Sequence, residues 1–288
     1  MNIIINLNKP SGITSHQAVT KVKRILKLKK AGHAGTLDPM ATGVLLICTN
    51  EATKIARFLS DMDKQYYARV KLGERTDTYD SEGSVIEKKD TSLLSEAELV
   101  ETVMMFQGRI RQKPPMYSAV KIGGRALYKL ARSGVEIDRP ERSVEIHEIK
   151  IICIDLPYFD MTISCSKGTY VRTLCEDIGI RLGVGAHLVS LERRGVGPFI
   201  IKDAVSFDDL VSEDFSFYSV DSALSNLRVI VLDGEDYKRA RNGMQVMFDR
   251  THEFNDNEFV KLKGPEGNLF GIGIVNLNII KAVRILNL

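Results

Sequence analysis

No apolar run in this 288-residue chain is long enough to cross a membrane. Its hydrophobic opening, Ile3 to Leu7, is too short for a signal peptide or a span and stops at the turn-prone Asn8-Lys9-Pro10-Ser11-Gly12. The chain therefore reads as soluble and cytoplasmic, with no membrane partner. Cysteine is sparse: Cys48, Cys153, Cys165 and Cys175 form no C-x-x-C pair and sit in apolar or strand-like sequence. They read as reduced core residues rather than disulfide partners or zinc ligands. The five histidines show neither H-x-x-x-H nor H-E-x-x-H spacing, so metal chemistry has no support. Acids are missing from two stretches. Asp38 is the only one before Glu51, and none occurs from Gln107 through Val135.

Cations fill those gaps. Lys9, Lys21, Lys23, Arg24, Lys27, Lys29 and Lys30 surround Asp38, and Arg109, Arg111, Lys113, Lys121, Arg125, Lys129 and Arg132 occupy the second stretch. The net charge is only +3, so it is the distribution that suggests a one-sided phosphate-binding face. Either stretch alone would also fit a solvated lysine-rich helix. The length allows one large domain and a small one.

Ile3–Leu7 reads as a strand. The helix after it is capped at Thr14 or Ser15, with Val19, Val22, Ile25 and Leu26 on one face. Val44–Cys48 is apolar throughout and reads as a buried strand. Glu51–Leu59 reads as a helix, Tyr66–Leu72 as a strand, and Ser95–Phe106 as a helix reached through the polar connection Gly73–Thr91. Gln107–Pro140 is irregular apart from a helical piece near Ala126–Ala131; such a segment inside a compact domain is more often functional than structural. Strands resume at Val144–Asp155 and Phe159–Cys165, and Gly168-Thr169-Tyr170 opens a helix to about Leu182. The acidic stretch Asp203–Asp221 reads as a helix and a domain boundary. From Leu227 onward, the short β-like runs Val229–Leu232, Phe259–Leu262 and Leu269–Val275 predict a separate small β-domain.

A lone carboxylate among cations suits a catalytic group placed where a polyanion comes to rest. Pro39 biases Asp38 toward extended backbone, and Gly35 and Gly43 let a ligand approach closely. A side chain that caps its own turn is the alternative. Tyr66 could stack on a nucleobase or pack in the core. Arg172 lies in the first turn of its helix, where a cation opposes the dipole, so an anion such as a phosphate or Asp38 should compensate it; pairing with Glu176 is the other possibility. His33 and Lys9 lie on glycine-adjacent loops, within reach of RNA or simply solvated.

Five segments stand in one order: Lys9-Pro10-Ser11-Gly12-Ile13-Thr14-Ser15, Gly32 through Gly43 (GHAGTLDPMATG), Asp63-Lys64-Gln65-Tyr66, Leu72-Gly73-Glu74-Arg75-Thr76-Asp77-Thr78, and Cys165-Ser166-Lys167-Gly168-Thr169-Tyr170-Val171-Arg172-Thr173. Together they resemble the bacterial TruB family of tRNA pseudouridine synthases, which modify uridine 55 in the T-loop. The resemblance covers about residues 3 to 200, and the C-terminal stretch is similar to a PUA-type RNA-binding domain. It implies an α+β fold. Residues 1–226 would form a catalytic domain with a mixed, mostly antiparallel sheet and flanking helices, carrying a basic RNA-clamping insert at about 107–140. Residues 227–288 would form a small all-β PUA-like domain.

It also implies roles. Asp38 would be the catalytic aspartate, Tyr66 the tyrosine that stacks on the flipped base, and Arg172 the partner that keeps the aspartate ionised. Tyr170 would line the pocket, Leu191 would lie against the base, and His33 would hold the everted T-loop; Lys9 stands on the adjacent loop. Lys121 and Arg125, in the insert, are expected to contact RNA. The reaction oxidises nothing and releases no group, so no cofactor or metal is expected. The partner is the tRNA T-arm, bound by a monomer without guide RNA. A guide-RNA-dependent relative fits the long basic insert and compact C-terminus less well, and a phosphodiesterase would want a metal-binding acid cluster. An RNA-binding or RNA-folding protein without turnover is the alternative from another class.

Overall fold

The computed structural model describes residues 1–118, 120–248 and 253–288, without the side chains of Lys121, Ala126 and Arg132. Its elements run β1 (Ile3–Lys9), α1 (Ser15–Ile25), β2 (Ala31–Ala34), β3 (Thr42–Thr49), α2 (Ala56–Ser60), β4 (Lys64–Leu72), β5 (Glu74–Thr76), β6 (Val85–Lys88), α3 (Glu96–Met104) and β7 (Gly108–Gln112). There follow β8 (Lys121–Ile122), β9 (Arg125–Ala126), α4 (Leu127–Arg132), β10 (Arg142–Asp155), β11 (Tyr158–Cys165), α5 (Val171–Arg181), β12 (Ala186–Val196) and β13 (Phe199–Ile200). The last part holds α6 (Phe207–Val211), β14 (Tyr218–Ser219), α7 (Val220–Ala223), β15 (Val229–Val231), α8 (Gly234–Arg241), β16 (Val246–Met247), β17 (Glu258–Lys263), β18 (Leu269–Asn276) and β19 (Ile279–Ile285).

A ten-stranded sheet in the order β14-β1-β3-β12-β4-β11-β10-β7, with β2 on β3 and β13 on β12, dominates the molecule. The short β12–β3 pairing is parallel and its other strand pairs are antiparallel, which is the mixed, mostly antiparallel α+β layout expected. Among the described residues, no helix is long and apolar enough to cross a membrane.

Burial explains the sequence patterns. The Val44–Cys48 run of β3 is apolar because both its faces are covered: Leu45 and Ile47 pack with Val19 and Val22 of α1, while Val44, Leu46 and Cys48 pack with Ile55 and Leu59. Thr14 caps α1, its hydroxyl accepting from the Gln17 amide while the Gln17 side chain returns the bond. The expected helix 51–59 is in fact a 3₁₀ turn, Asn50–Ile55, running into α2. Part of the expected 32–43 loop pairs with β3 as β2.

Two further strands depart from expectation. Gly108–Gln112, assigned above to the irregular basic insert, forms β7 at the sheet edge against β10. β12, at the centre of the sheet, went unread: Glu192-Arg193-Arg194 breaks the apolar pattern, and two bulges, between Leu188 and Ser190 and between Arg193 and Gly195, break the period.

The C-terminal sheet, in the order β15-β17-β18-β19-β16, carries the eight-residue helix α8 as well as strands. It does not stand apart. Leu269, Ile272 and Leu286 share one apolar cluster with Ile4, Val44, Leu46 and Val220 of the first part.

Candidate active site

Asp38 lies between β2 and β3 on a loop fastened along its length. The Ser15 hydroxyl donates to the Leu37 carbonyl at 2.9 Å and accepts from the Leu37 amide at 2.8 Å. The Gly12 amide donates to the Pro39 carbonyl at 2.9 Å, and the Ser11 hydroxyl to that of Met40 at 2.9 Å. Lys9 Nζ reaches Pro39 O at 3.1 Å, and Arg193 holds the carbonyls of Gly35 and Thr36 at 3.1 and 3.3 Å. With the backbone fixed, the carboxylate has little freedom.

Its oxygens go to Arg172: Nη2 donates to Oδ1 at 3.1 Å, and Nε lies 2.9 Å from Oδ2 as the second contact of the ion pair. Arg172 is buried on the first turn of α5. Its remaining donors reach Asp80 Oδ2 at 3.1 Å and the carbonyls of Thr78 and Tyr117 at 3.2 and 2.8 Å. The alternative partner Glu176 is taken by Arg75, whose Nε lies at 2.7 Å. Enclosure raises the Asp38 carboxyl above its ordinary value; Arg172 opposes that and Asp80, a second negative charge, adds to it. Arg172 thus fixes the carboxylate but offsets only part of the cost of burying its charge. About a third of the Asp38 side chain, 32%, stays open to a cleft of about 260 Å³.

Tyr66 of β4 and Leu191 and Arg193 of β12 form one wall of that cleft, and Tyr170 and Arg172 another. Burial pushes the Tyr66 phenol up to about 12, with the Arg193 guanidinium opposing. At neutral pH the ring is therefore a protonated stacking surface. Tyr170 precedes α5, where the Gln112 side chain accepts from its amide at 3.0 Å and donates to its carbonyl at 3.3 Å. A wider recess of about 590 Å³ continues from Asp38 past His16 and His33 to Tyr117 and Tyr128. Burial, then Arg193 and His16, lowers the His33 pKa, so its imidazole is neutral at physiological pH.

The structure thus brings together Asp38, Tyr66, Tyr170, Arg172 and Leu191 around one cleft and sets His33 beside its mouth. Lys9 corrects an expectation. It is fully buried, and its ammonium donates to the carbonyls of Pro10, Ile13 and Pro39 at 2.8, 2.8 and 3.1 Å. All three donors are used, so it ties two loops together and has none left for RNA. Arg125 is exposed beside the Gly123-Gly124 turn of the β8–β9 hairpin and does not line the cleft. The side chain of Lys121 lies outside the described residues.

Asp80, Gln112 and Arg193 were missed. Asp80 hides in a segment read as a polar connector; the hint was Arg172, whose five donors exceed what one carboxylate can accept. Nothing short of the β12 pairing would have found Arg193. Among the described residues, no group of three or more His, Cys, Asp or Glu side chains is placed to hold a metal.

The chain matches the sequence model of the TruB family pseudouridylate synthase (N terminal domain) over residues 23–171. It matches the tRNA pseudouridylate synthase B C-terminal domain over residues 172–236. It is similar to the tRNA pseudouridine synthase B of Clostridium tetani, 41% identical over 99% of this chain and 100% of that protein. To that of Clostridium kluyveri it is 44% identical, over 95% of this chain and 96% of the relative. Among solved structures, a chain in the crystal structure of a Cbf5-Nop10-Gar1 complex superposes with a TM-score of 0.75 at 25% identity, over 99% of this chain and 84% of that one.

Proposed function

We propose that this chain, which belongs to the TruB family of pseudouridylate synthases, converts uridine 55 in the T-loop of tRNA to pseudouridine with Asp38 as the catalytic carboxylate. It is an isomerase, a pseudouridine synthase that acts on tRNA. The N1–C1′ bond breaks, the uracil turns, and a bond forms between C5 and C1′; the C5 proton is lost and N1 regains one, so atoms and electrons balance within the substrate. An anionic carboxylate serves as nucleophile at C1′ or C6, or as base toward the ribose.

The observation that supports this reading is the Asp38–Arg172 ion pair beside a cleft whose other wall carries Tyr66 and Leu191. That cleft is lined by groups suited to a base and a ribose rather than a helix, so the target nucleotide must leave its stack, at a cost of a few kcal/mol. Stacking on Tyr66 offsets about 1–3 kcal/mol of that. His33 and the wider recess would receive the bases around the target. The basic segment 113–140, whose Tyr117 carbonyl already touches Arg172, would clamp the hairpin. The lysines of α1 and its following turn would contact phosphates. The protein would act in the cytoplasm as a monomer without guide RNA, and residues 227–288 would serve as a PUA-like RNA-binding domain.

Tritium release from an unmodified tRNA transcript labelled at uridine C5 tests this, with wild type and Asp38→Asn side by side. The expected result is release by wild type and none by the variant at equal tRNA affinity. If both bind tRNA and neither turns over, a role in RNA binding or folding takes the place of this one.

A further inference from the structure

Arg193 occupies a junction that the roles above leave unexplained. On β12 it pairs with Tyr66 of β4 on one side and with Gly43 of β3, just past the Asp38 loop, on the other. Gly43 has φ +98°, and a Cβ there would lie 2.3 Å from the Arg193 carbonyl oxygen, so β3 and β12 approach as closely as backbones can. The side chain is 1% exposed. Nε donates to Val44 O at 2.7 Å, Nη1 to Thr36 O at 3.3 Å and Nη2 to Gly35 O at 3.1 Å. The guanidinium also faces the Tyr66 phenol across the β4–β12 pairing, and its charge opposes the upward pull of burial on the phenol.

Its bonds thus go to neutral oxygens, which compensate a buried cation less well than a carboxylate does. An apolar side chain in its place would leave the Val44, Thr36 and Gly35 carbonyls without this donor. The fork thus ties the Asp38 loop and β3 to β12.

We propose that Arg193 is a positioning residue that sets Tyr66 against Asp38. One residue grips the Asp38 loop at two carbonyls through its guanidinium and pairs with Tyr66 through its backbone, and so holds the carboxylate and the stacking ring at one separation while the target nucleotide lies between them. This rests on Asp38 and Tyr66 acting as proposed above. Arg193 also adds positive potential at Asp38, which is faced by Arg172 from α5, by Asp80 and Glu82 from the connection after β5, and by Lys9 from β1. Removing the Arg193 charge leaves those four in place and moves the carboxyl pKa upward.

The test compares Arg193→Met, Arg193→Lys, Tyr66→Phe and the Met/Phe double variant with wild type. The readouts are single-turnover rate on tRNA, tRNA affinity, melting temperature and the pH profile of kcat/KM. Arg193→Met should slow turnover about 100-fold, as a misplaced reacting group does, with tRNA affinity unchanged and the acid limb moved to higher pH. Arg193→Lys should restore the acid limb but only part of the rate, because the charge returns without the fork. The Met substitution should cost less in the Tyr66→Phe background than in wild type, since both remove one interaction.

Arg193→Met at wild-type rate with an unmoved acid limb would overturn the proposal. If Arg193→Met does not fold, Arg193→Lys at full rate overturns it alone. Turnover by Asp38→Asn would instead defeat the functional reading beneath it, a result distinct from any Arg193 outcome.

Discussion

Asp177, in the middle of α5, holds its charge at a disadvantage. Burial, then Glu176 beside it and Glu141 across from it, raises its pKa to about 6. A carboxyl whose folded value lies above its unfolded value binds the proton more tightly in the native state. The stability this lends is present below the ordinary carboxylate range and is lost as pH rises through about 6. At pH 7 the ionised group therefore opposes folding by about 1–2 kcal/mol, after discounting for its partial exposure. Asp177→Asn should raise the melting temperature at pH 7, and the gain should shrink to nothing near pH 4. Equal melting at pH 7 would show that the enclosure is relieved by solvent. At this scale the chain was most legible where a residue broke a local rule: Asp38 as a lone acid among cations, Arg172 as a cation at the wrong end of a helix. Asp80 and Arg193 broke no rule visible along the chain, because what marks them is three-dimensional: burial with partners 92 and 149–158 residues away.

The element that sets Arg172 in place is α5, and its seat is the start of β12. Gly179 lies on the contact, where an added Cβ would stand 2.1 Å from the Ala186 nitrogen and 2.3 Å from the Gly185 carbonyl carbon. Two effects compete in Gly179→Ala. Alanine favours the helix by about 1 kcal/mol, but the opposing atoms are backbone and cannot rotate away. The helix must shift, and overpacking of that kind costs about 1–3 kcal/mol. The clash should win: the variant should melt lower and, below its melting temperature, turn over more slowly as Arg172 moves with its helix. A variant more stable than wild type would mean that α5 has slack against β12. The same contact explains why elements were unevenly legible. Helices with caps and strands with unbroken apolar patterns, such as α1 and β3, announce themselves locally. β12 is held by neighbours on both sides, so it tolerates bulges and three charged residues that no isolated strand would keep.

For the molecule as a whole, the question is whether residues 227–288 are an appendage or part of the catalytic body. Turn-separated β-like runs predicted a separate small domain, and a sheet with its own cluster around Val260, Leu262 and Phe270 does form. Its other apolar face, however, completes the core under β1 and β3. Phe259 packs edge-on against Phe58 at 5.2 Å. Lys261 and Lys263 meet Asp221 at 2.8 and 2.6 Å, Lys54 reaches the Ile285 carbonyl at 3.0 Å, and Glu51 accepts from the Asn287 amide at 2.8 Å. β3, the strand that leaves the Asp38 loop, lies directly above this interface. Cutting the chain after residue 226 would expose Val44, Leu46 and Cys48 on the side where Leu269, Ile272 and Leu286 now pack. Each large apolar side chain returned to water costs about 1.5–3 kcal/mol, and several together match the 5–15 kcal/mol by which domains are stable. The fragment 1–226 should therefore melt far below the full chain, or aggregate, and lose turnover even on a minimal T-arm hairpin that needs no C-terminal contact. If it instead kept the full-length melting temperature and lost only tRNA affinity, the C-terminal sheet would be a detachable RNA-binding module, and the shared core would contribute nothing to the geometry at Asp38.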